Sequence, residues 1–309
     1  MNRSSTTLLS TTRLAAAPDD SATVPAATVP AATVPAATVP AVARVALKAP
    51  SAGLAALEMR ASYEFMAFFM TFVAGSSSLY LLPRGDGHPV MVLPPFIADD
   101  PYTAPLRWVL GSRGYSVHGW RQGTNLSRTA KIVNGLPHRL LELHERHGAK
   151  VSLVGHSGGG NWARDLAREY PHAVRQVITL GAPFRLRPGD ATQADQLAEL
   201  LLRDQVAQDP AALVDEEDRP PMSVPVTAIY SRTDGVAPWH AGIESAGPLR
   251  ENIEVVGSHC GLAYNPAAVF AIADRLAQPE GAWQPFRPPA HARRFFPKPV
   301  YWQPASSRA

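Results

Sequence analysis

The chain has 309 residues, a formal charge of +3, 46% hydrophobic and 18% charged residues, enough apolar material for one large buried core or two small ones. Its single cysteine, Cys260, excludes an intramolecular disulfide framework and a multi-cysteine zinc site. The weak net charge argues against a dedicated nucleic-acid binder.

Residues 21–40 repeat Ala, Thr, Val and Pro with a period of five. A proline every fifth position interrupts both helical and sheet hydrogen bonding, so residues 1–52 are expected to be a disordered leader and tether. Met1–Asp20 lacks the continuous apolar core of about 7–15 residues that a secretory signal needs. A cytoplasmic location follows as the expectation. Residues 53–84 form an apolar helical segment in this reading. Phe65–Leu82 holds no charge over 18 residues, but Gly75 and the serines after it interrupt the run. Phe65–Ala74 alone is too short to span a bilayer and reads as a packed helix, with membrane-surface contact as the alternative.

From residue 85 strands and helices alternate. Pro89–Leu93 is a continuous apolar run of the kind found in a parallel strand buried on both faces. Asp100-Pro101 opens a helix that stops near Gly114, with Asp99-Asp100 read as capping residues. A strand over Tyr115–Trp120, a helix over Ser127–His147 and a strand over Lys150–Gly155 follow. Next come a helix over Gly158–Tyr170 and a strand over Arg175–Leu180. Strands over Val224–Tyr230 and Asn252–Val256 precede a last helix over Pro266–Leu276. The class is α/β, a mostly parallel sheet with helices on both faces. Arg185–Pro221 interrupts the alternation, and the leucines within Gln196–Val206 suit either a small lid or a surface helix.

Gly155-His156-Ser157-Gly158-Gly159 follows the central strand. A serine held in a strained strand-to-helix turn needs small neighbours two positions away. The helix starting beside it aims the backbone N–H of Gly158 at a developing oxyanion. Such a serine needs a base and an acid that orients it. Asp234 lies just past the fifth strand and His259 just past the sixth. Parallel strands bring the loops at their ends to one edge. No acid follows Leu180, so Asp234 is preferred to Asp190 or Glu244.

On these residues the chain resembles the α/β-hydrolase superfamily, of the serine esterase and lipase type, over about residues 85–277. The resemblance implies Ser157 as nucleophile, Asp234 as acid and His259 as base. It also implies a second oxyanion donor, the N–H of Phe96 in Leu93-Pro94-Pro95-Phe96, where Pro95 replaces a usual glycine. The expected activity is hydrolysis of carboxylic esters through an acyl-enzyme, on a small-molecule or lipid substrate. An acyltransferase, thioesterase or carbon–carbon bond hydrolase on the same fold, or a non-catalytic membrane-surface module, are the alternatives. No cofactor or metal is called for. His144 and His147, three apart on a helix, lack a third ligand and read as a solvated face. Residues 278–309 carry seven prolines, six aromatics and a net charge of +4, leaving −1 for the rest. This tail is expected to strap across the domain, or else to contact an anionic surface.

Overall fold

The computed structural model describes residues 46–74, 76–126, 128–187, 190–194 and 214–303. The repeat at 21–40 and the helix expected over Gln196–Val206 lie outside these residues. The described residues belong to one compact unit.

Six strands form a single sheet in the order β2-β1-β3-β4-β5-β6. They are β1 (Pro89–Leu93), β2 (Ser116–Gly119), β3 (Val151–His156), β4 (Val174–Leu180), β5 (Val226–Tyr230) and β6 (Arg250–Glu254). All five pairings are parallel, so the expected α/β class is the observed one. β6 begins two residues before its expected start, because Arg250 and Glu251 pair with Val226 and Thr227.

Side chains alternate across the strands and divide the core between the two faces. Val90, Val92 and Val154 pack on one face with Leu106 and Leu110 of α4 (Asp100–Ser112) and Val269 and Ile272 of α7 (Pro266–Leu276). Met91, Leu93 and Leu153 pack on the other with Leu136 and Leu140 of α5 (Ala130–His147) and Trp162 and Leu166 of α6 (Gly158–Glu169). Fully burying one such aliphatic side chain contributes about 1.5–3 kcal/mol.

The helix ends follow their capping residues. Thr129 accepts the Ile132 N–H at the start of α5, and Gly148 closes it in the left-handed conformation at φ 57°. Asn265 accepts the N–H groups of Ala267 and Ala268 ahead of α7. Asp100 departs from the capping role. Asp99 is the N-cap of α4, while the Asp100 carboxylate accepts the N–H groups of Trp120 and Arg121, at 3.0 and 3.1 Å. It thereby ties α4 to the end of β2. Arg164 of α6 is buried. Its guanidinium pairs with Glu244 and Glu216 and lies over the Phe184 ring.

Before the sheet run α1 (Ala52–Ala56), a 3₁₀ turn (Leu57–Arg60), α2 (Ala61–Phe68), a π-helical turn (Phe69–Ala74) and α3 (Ser76–Leu79). The expectation of a packed apolar helix is met only in part. Phe68 and Phe72 are buried, but Met59, Tyr63, Met66, Phe69 and Met70 are exposed. Among the described residues no helix is long and apolar enough to cross a membrane. The C-terminal segment lies along the domain. Phe286 and Phe296 pack against Phe270, the Val300 N–H donates to the Tyr230 hydroxyl at 3.0 Å, and Trp302 bridges to Ser245.

Candidate active site

The loops that leave the carboxyl ends of β1, β3, β5 and β6 meet at one edge of the sheet. Ser157 sits between β3 and α6 at φ 50° and ψ −123°, a combination costly for any residue with a Cβ. The turn is possible because backbones approach very closely around it. A Cβ on Gly155 would stand 2.4 Å from the Gly159 carbonyl oxygen, and one on Gly159 would stand 2.5 Å from the carbonyl oxygens of Leu93 and Pro94. The Ser157 N–H donates to the Leu180 carbonyl at 2.8 Å, which ties the turn to β4. Its hydroxyl neither caps its own helix nor bonds another described residue, and the side chain is half-buried.

Asp234 and His259 are both buried, at 3% and 4% exposure. His259 Nδ1 lies 2.6 Å from Asp234 Oδ2, and Asp234 Oδ1 accepts the N–H groups of Val236 and Ala237 at 2.9 and 2.8 Å. Both carboxylate oxygens are therefore occupied and the carboxylate cannot swing away. Gly181, next to the partner of Ser157, faces this pair; a Cβ there would stand 3.2 Å from both Asp234 Oδ2 and His259 Nδ1. Burial disfavours the His259 imidazolium, but the Asp234 charge and hydrogen bond, with Glu58 adding its charge, raise its pKa above the ordinary value. The two other candidate acids are engaged elsewhere. Asp190 accepts the N–H groups of Leu47 and Arg187, and Glu244 pairs with Arg164.

The loop after β1 brings Phe96 to the elbow. Its backbone N lies 3.7 Å from where a Cβ on Gly158 would stand, and its N–H has no acceptor among the described residues. Gly158 is the first residue of α6, so its N–H is one of the four that a helix leaves unpaired. The loop is held by Asn125, whose carbonyl accepts the Ile97 N–H at 2.8 Å and whose side-chain amide donates to the Pro94 carbonyl at 2.9 Å. Ile97 adopts φ 65°, a left-handed strain fixed by these two bonds.

Residues not singled out by motif complete the surroundings. His156 is buried, donates from Nε2 to the His259 carbonyl at 2.9 Å, and has its Nδ1 3.2 Å from the Tyr102 hydroxyl. Burial pushes its pKa down to about 3, with the neighbouring His259 acting in the same direction. His156 is thus a neutral strut, and the Tyr102 hydroxyl donates to the Cys260 carbonyl at 2.6 Å. The signal for His156 was its place inside the serine motif; Tyr102 and Asn125 carried none. The His144 and His147 reading changes too. His147 Nε2 lies 3.0 Å from His118 Nε2, and His144 meets the Ala149 carbonyl. Among the described residues no group of three or more His, Cys, Asp or Glu is arranged to hold a metal ion.

A serine in a strained turn after a central parallel strand, with an acid and a histidine in the loops after later strands, is the order that the resemblance noted above implies. No protein-family model and no curated protein matches the chain. Among solved structures it is similar to lipase B of Aspergillus fumigatus, at 18% identity and TM-score 0.49, covering 63% of this chain and 54% of that one. It is also similar to a pyrethroid hydrolase from Sphingobium faniae JZ-2 (19% identity, TM-score 0.44, 62% and 98% covered). A monoacylglycerol lipase of Paleococcus ferrophilus is a third (15%, 0.42, 62% and 96%). The chain spans about half the length of the Aspergillus lipase.

Proposed function

We propose that the chain is a serine hydrolase that cleaves carboxylic esters through an acyl-enzyme. The observation that carries this is the strained Ser157 at the same sheet edge as a buried Asp234–His259 pair 2.6 Å apart. In this mechanism His259 Nε2 takes the Ser157 proton as Oγ attacks the ester carbonyl. Asp234 holds the Nδ1–H tautomer and stabilises the imidazolium that forms. The N–H groups of Gly158 and Phe96 receive the oxyanion. Collapse breaks the bond to the alcohol, which leaves with the proton from His259. Water, deprotonated by the same imidazole, then attacks the acyl carbon and releases the acid and Ser157. No step requires a metal or cofactor.

An apolar acyl group is the substrate feature best supported. The segment whose Glu58 binds the His259 loop also exposes Tyr63, Met66 and Met70, a surface that favours apolar over charged groups. The test is hydrolysis of p-nitrophenyl esters of increasing acyl length by wild type and by Ser157→Ala. The expected result is turnover by wild type, best above acetate, and a loss of about 10⁴-fold or more in the variant. Turnover unchanged in Ser157→Ala contradicts the assignment. Product analysis with added alcohol or thiol acceptors separates hydrolysis from acyl transfer.

A further inference from the structure

Residues 51–82 carry three charged side chains, Glu58, Arg60 and Glu64. On a surface helix charges face water and apolar groups face the core. Here Phe68 and Phe72 do face the core, but the charges face inward as well. Met59 is 81% exposed, Tyr63 79%, and Met66 and Met70 57% each, while all three charged groups reach inward to the two loops that hold Asp234 and His259.

The Glu58 carboxylate is the centre of these contacts. Its Oε1 accepts the N–H groups of Gly235 and His259, both at 2.8 Å, and its Oε2 accepts that of Cys260 at 2.9 Å. One side chain therefore bridges the residue after the acid and the base itself. Glu64 accepts the Ser258 N–H at 2.8 Å and also the Ser258 hydroxyl. Arg60 donates to the Thr233 carbonyl at 3.0 Å and to its hydroxyl oxygen at 3.2 Å. These loop amides have no strand or helix partner, so an acceptor must come from elsewhere. The approach is close enough to exclude a Cβ against backbone at Gly235, and at Gly261 a Cβ would displace the Glu64 carboxylate. A Cβ on Gly235 would stand 2.3 Å from the Leu54 carbonyl oxygen, and one on Gly261 would stand 1.4 Å from Glu64 Oε2. Gly261 lies at φ −89° and ψ −9°, open to any residue, so its turn does not explain it.

Resting on the ester-hydrolase reading above, we propose that Glu58 is a positioning residue of this site: its carboxylate fastens the Asp234 loop to the His259 loop and fixes the imidazole against its acid. The titratable groups facing His259 are Asp234 beyond β5, Glu58, His156 at the end of β3, and Cys260 with Tyr102 of α4 on its carbonyl. Glu64 approaches through Ser258. Burial opposes the charged imidazole, Asp234 outweighs it, and the Glu58 charge acts in the same sense as Asp234. Removing that charge lowers the pH at which His259 loses its proton.

The test uses the full chain with Glu58→Gln, Glu58→Asp and Met59→Ala. Glu58→Gln is isosteric, but its amide turns a donor toward the Cys260 N–H. On p-nitrophenyl butyrate it is expected to lower kcat by about tenfold or more with KM within about twofold. The acid limb of the pH–rate profile should move to lower pH, and the low-field His259 Nδ1–H proton resonance should shift or broaden. Glu58→Asp keeps the charge and loses reach, so it should restore the acid limb and leave kcat low. Met59→Ala, on the outward side of the same turn, should match wild type. Wild-type kcat, pH profile and resonance in Glu58→Gln overturn the proposal, as does an equal loss in Met59→Ala. Should Glu58→Gln fail to fold, wild-type kcat in Glu58→Asp overturns it. If wild type cleaves no ester, the hydrolase reading fails separately; the resonance in wild type and Glu58→Gln then decides the clamp, unchanged against it and shifted for it.

Discussion

The sheet carries two Ser–His–Asp sets, one at each edge. At the carboxyl edge stand Ser157, His259 and Asp234. At the amino edge the Asp86 carboxylate meets His88 Nδ1, and His88 Nε2 lies 2.8 Å from the Ser152 hydroxyl. By hydrogen bonding alone the second set is the more complete. Yet Ser152 is fully buried within β3 and also accepts from Gln176 at 3.4 Å, so no carbonyl carbon can reach it. It has no elbow and no helix start beside it. The titrations differ as well. Burial depresses the His88 pKa despite its acid partner, whereas His259 is raised because its buried acid outweighs desolvation. The Asp86 carboxylate is half exposed, at 52%, and shares its charge with Arg175. Residue type and hydrogen-bond order do not distinguish the two sets; the strained turn of a half-buried serine at a helix start does.

Matched substitutions break or sharpen this comparison. Asp234→Asn is expected to lower kcat/KM on a p-nitrophenyl ester by about 10⁴-fold, because the imidazole loses the right tautomer. Asp86→Asn should leave kcat/KM at the wild-type value and lower stability by about 1 kcal/mol, read from urea midpoints. Equal losses of activity from the two changes would erase the distinction.

The next expected effect is on pH. In the proposed mechanism His259 acts as a base only when neutral, so kcat/KM should rise with pH through a midpoint above the ordinary imidazole value. Stability runs by a different account. His156 resists its proton down to about pH 3, whereas the unfolded chain takes it up near 6.5. The unfolded state therefore binds more protons in that window, and His88 acts in the same direction. His259, with a raised folded pKa, acts above that window: its contribution is fully present below the unfolded value near 6.5 and lost as pH rises through the raised pKa. His118 and His240 are depressed as well, so the melting temperature should fall between about pH 6.5 and 3. A melting temperature that rises on acidification would contradict the buried neutral state of His156.

Much of this was legible in the sequence for a local reason. Strands such as β1 announce themselves as short apolar runs, and Ser157, Asp234 and His259 lie in the loops that follow β3, β5 and β6. The unread part has the opposite character. Glu58 meets Gly235 and His259 across 177 and 201 residues, and what it binds is main-chain N–H, which every residue but proline offers and no motif marks. Its segment also hides its polarity, since several of its apolar side chains are exposed while its three charged groups face inward. Arg164 carries no local mark either, since its acids, Glu216 and Glu244, come from within and beyond the Arg185–Pro221 insertion. Ser152 and His88, 64 residues apart, form a triad-like chain that no spacing rule would flag.

The two edges can be told apart in one measurement: reaction of the folded full-length chain with a fluorophosphonate, followed by peptide mass spectrometry to locate the adduct. The account predicts a single adduct on Ser157, lost in Ser157→Ala and retained in Ser152→Ala. An adduct on Ser152, or an undiminished adduct elsewhere when Ser157 is removed, would contradict it.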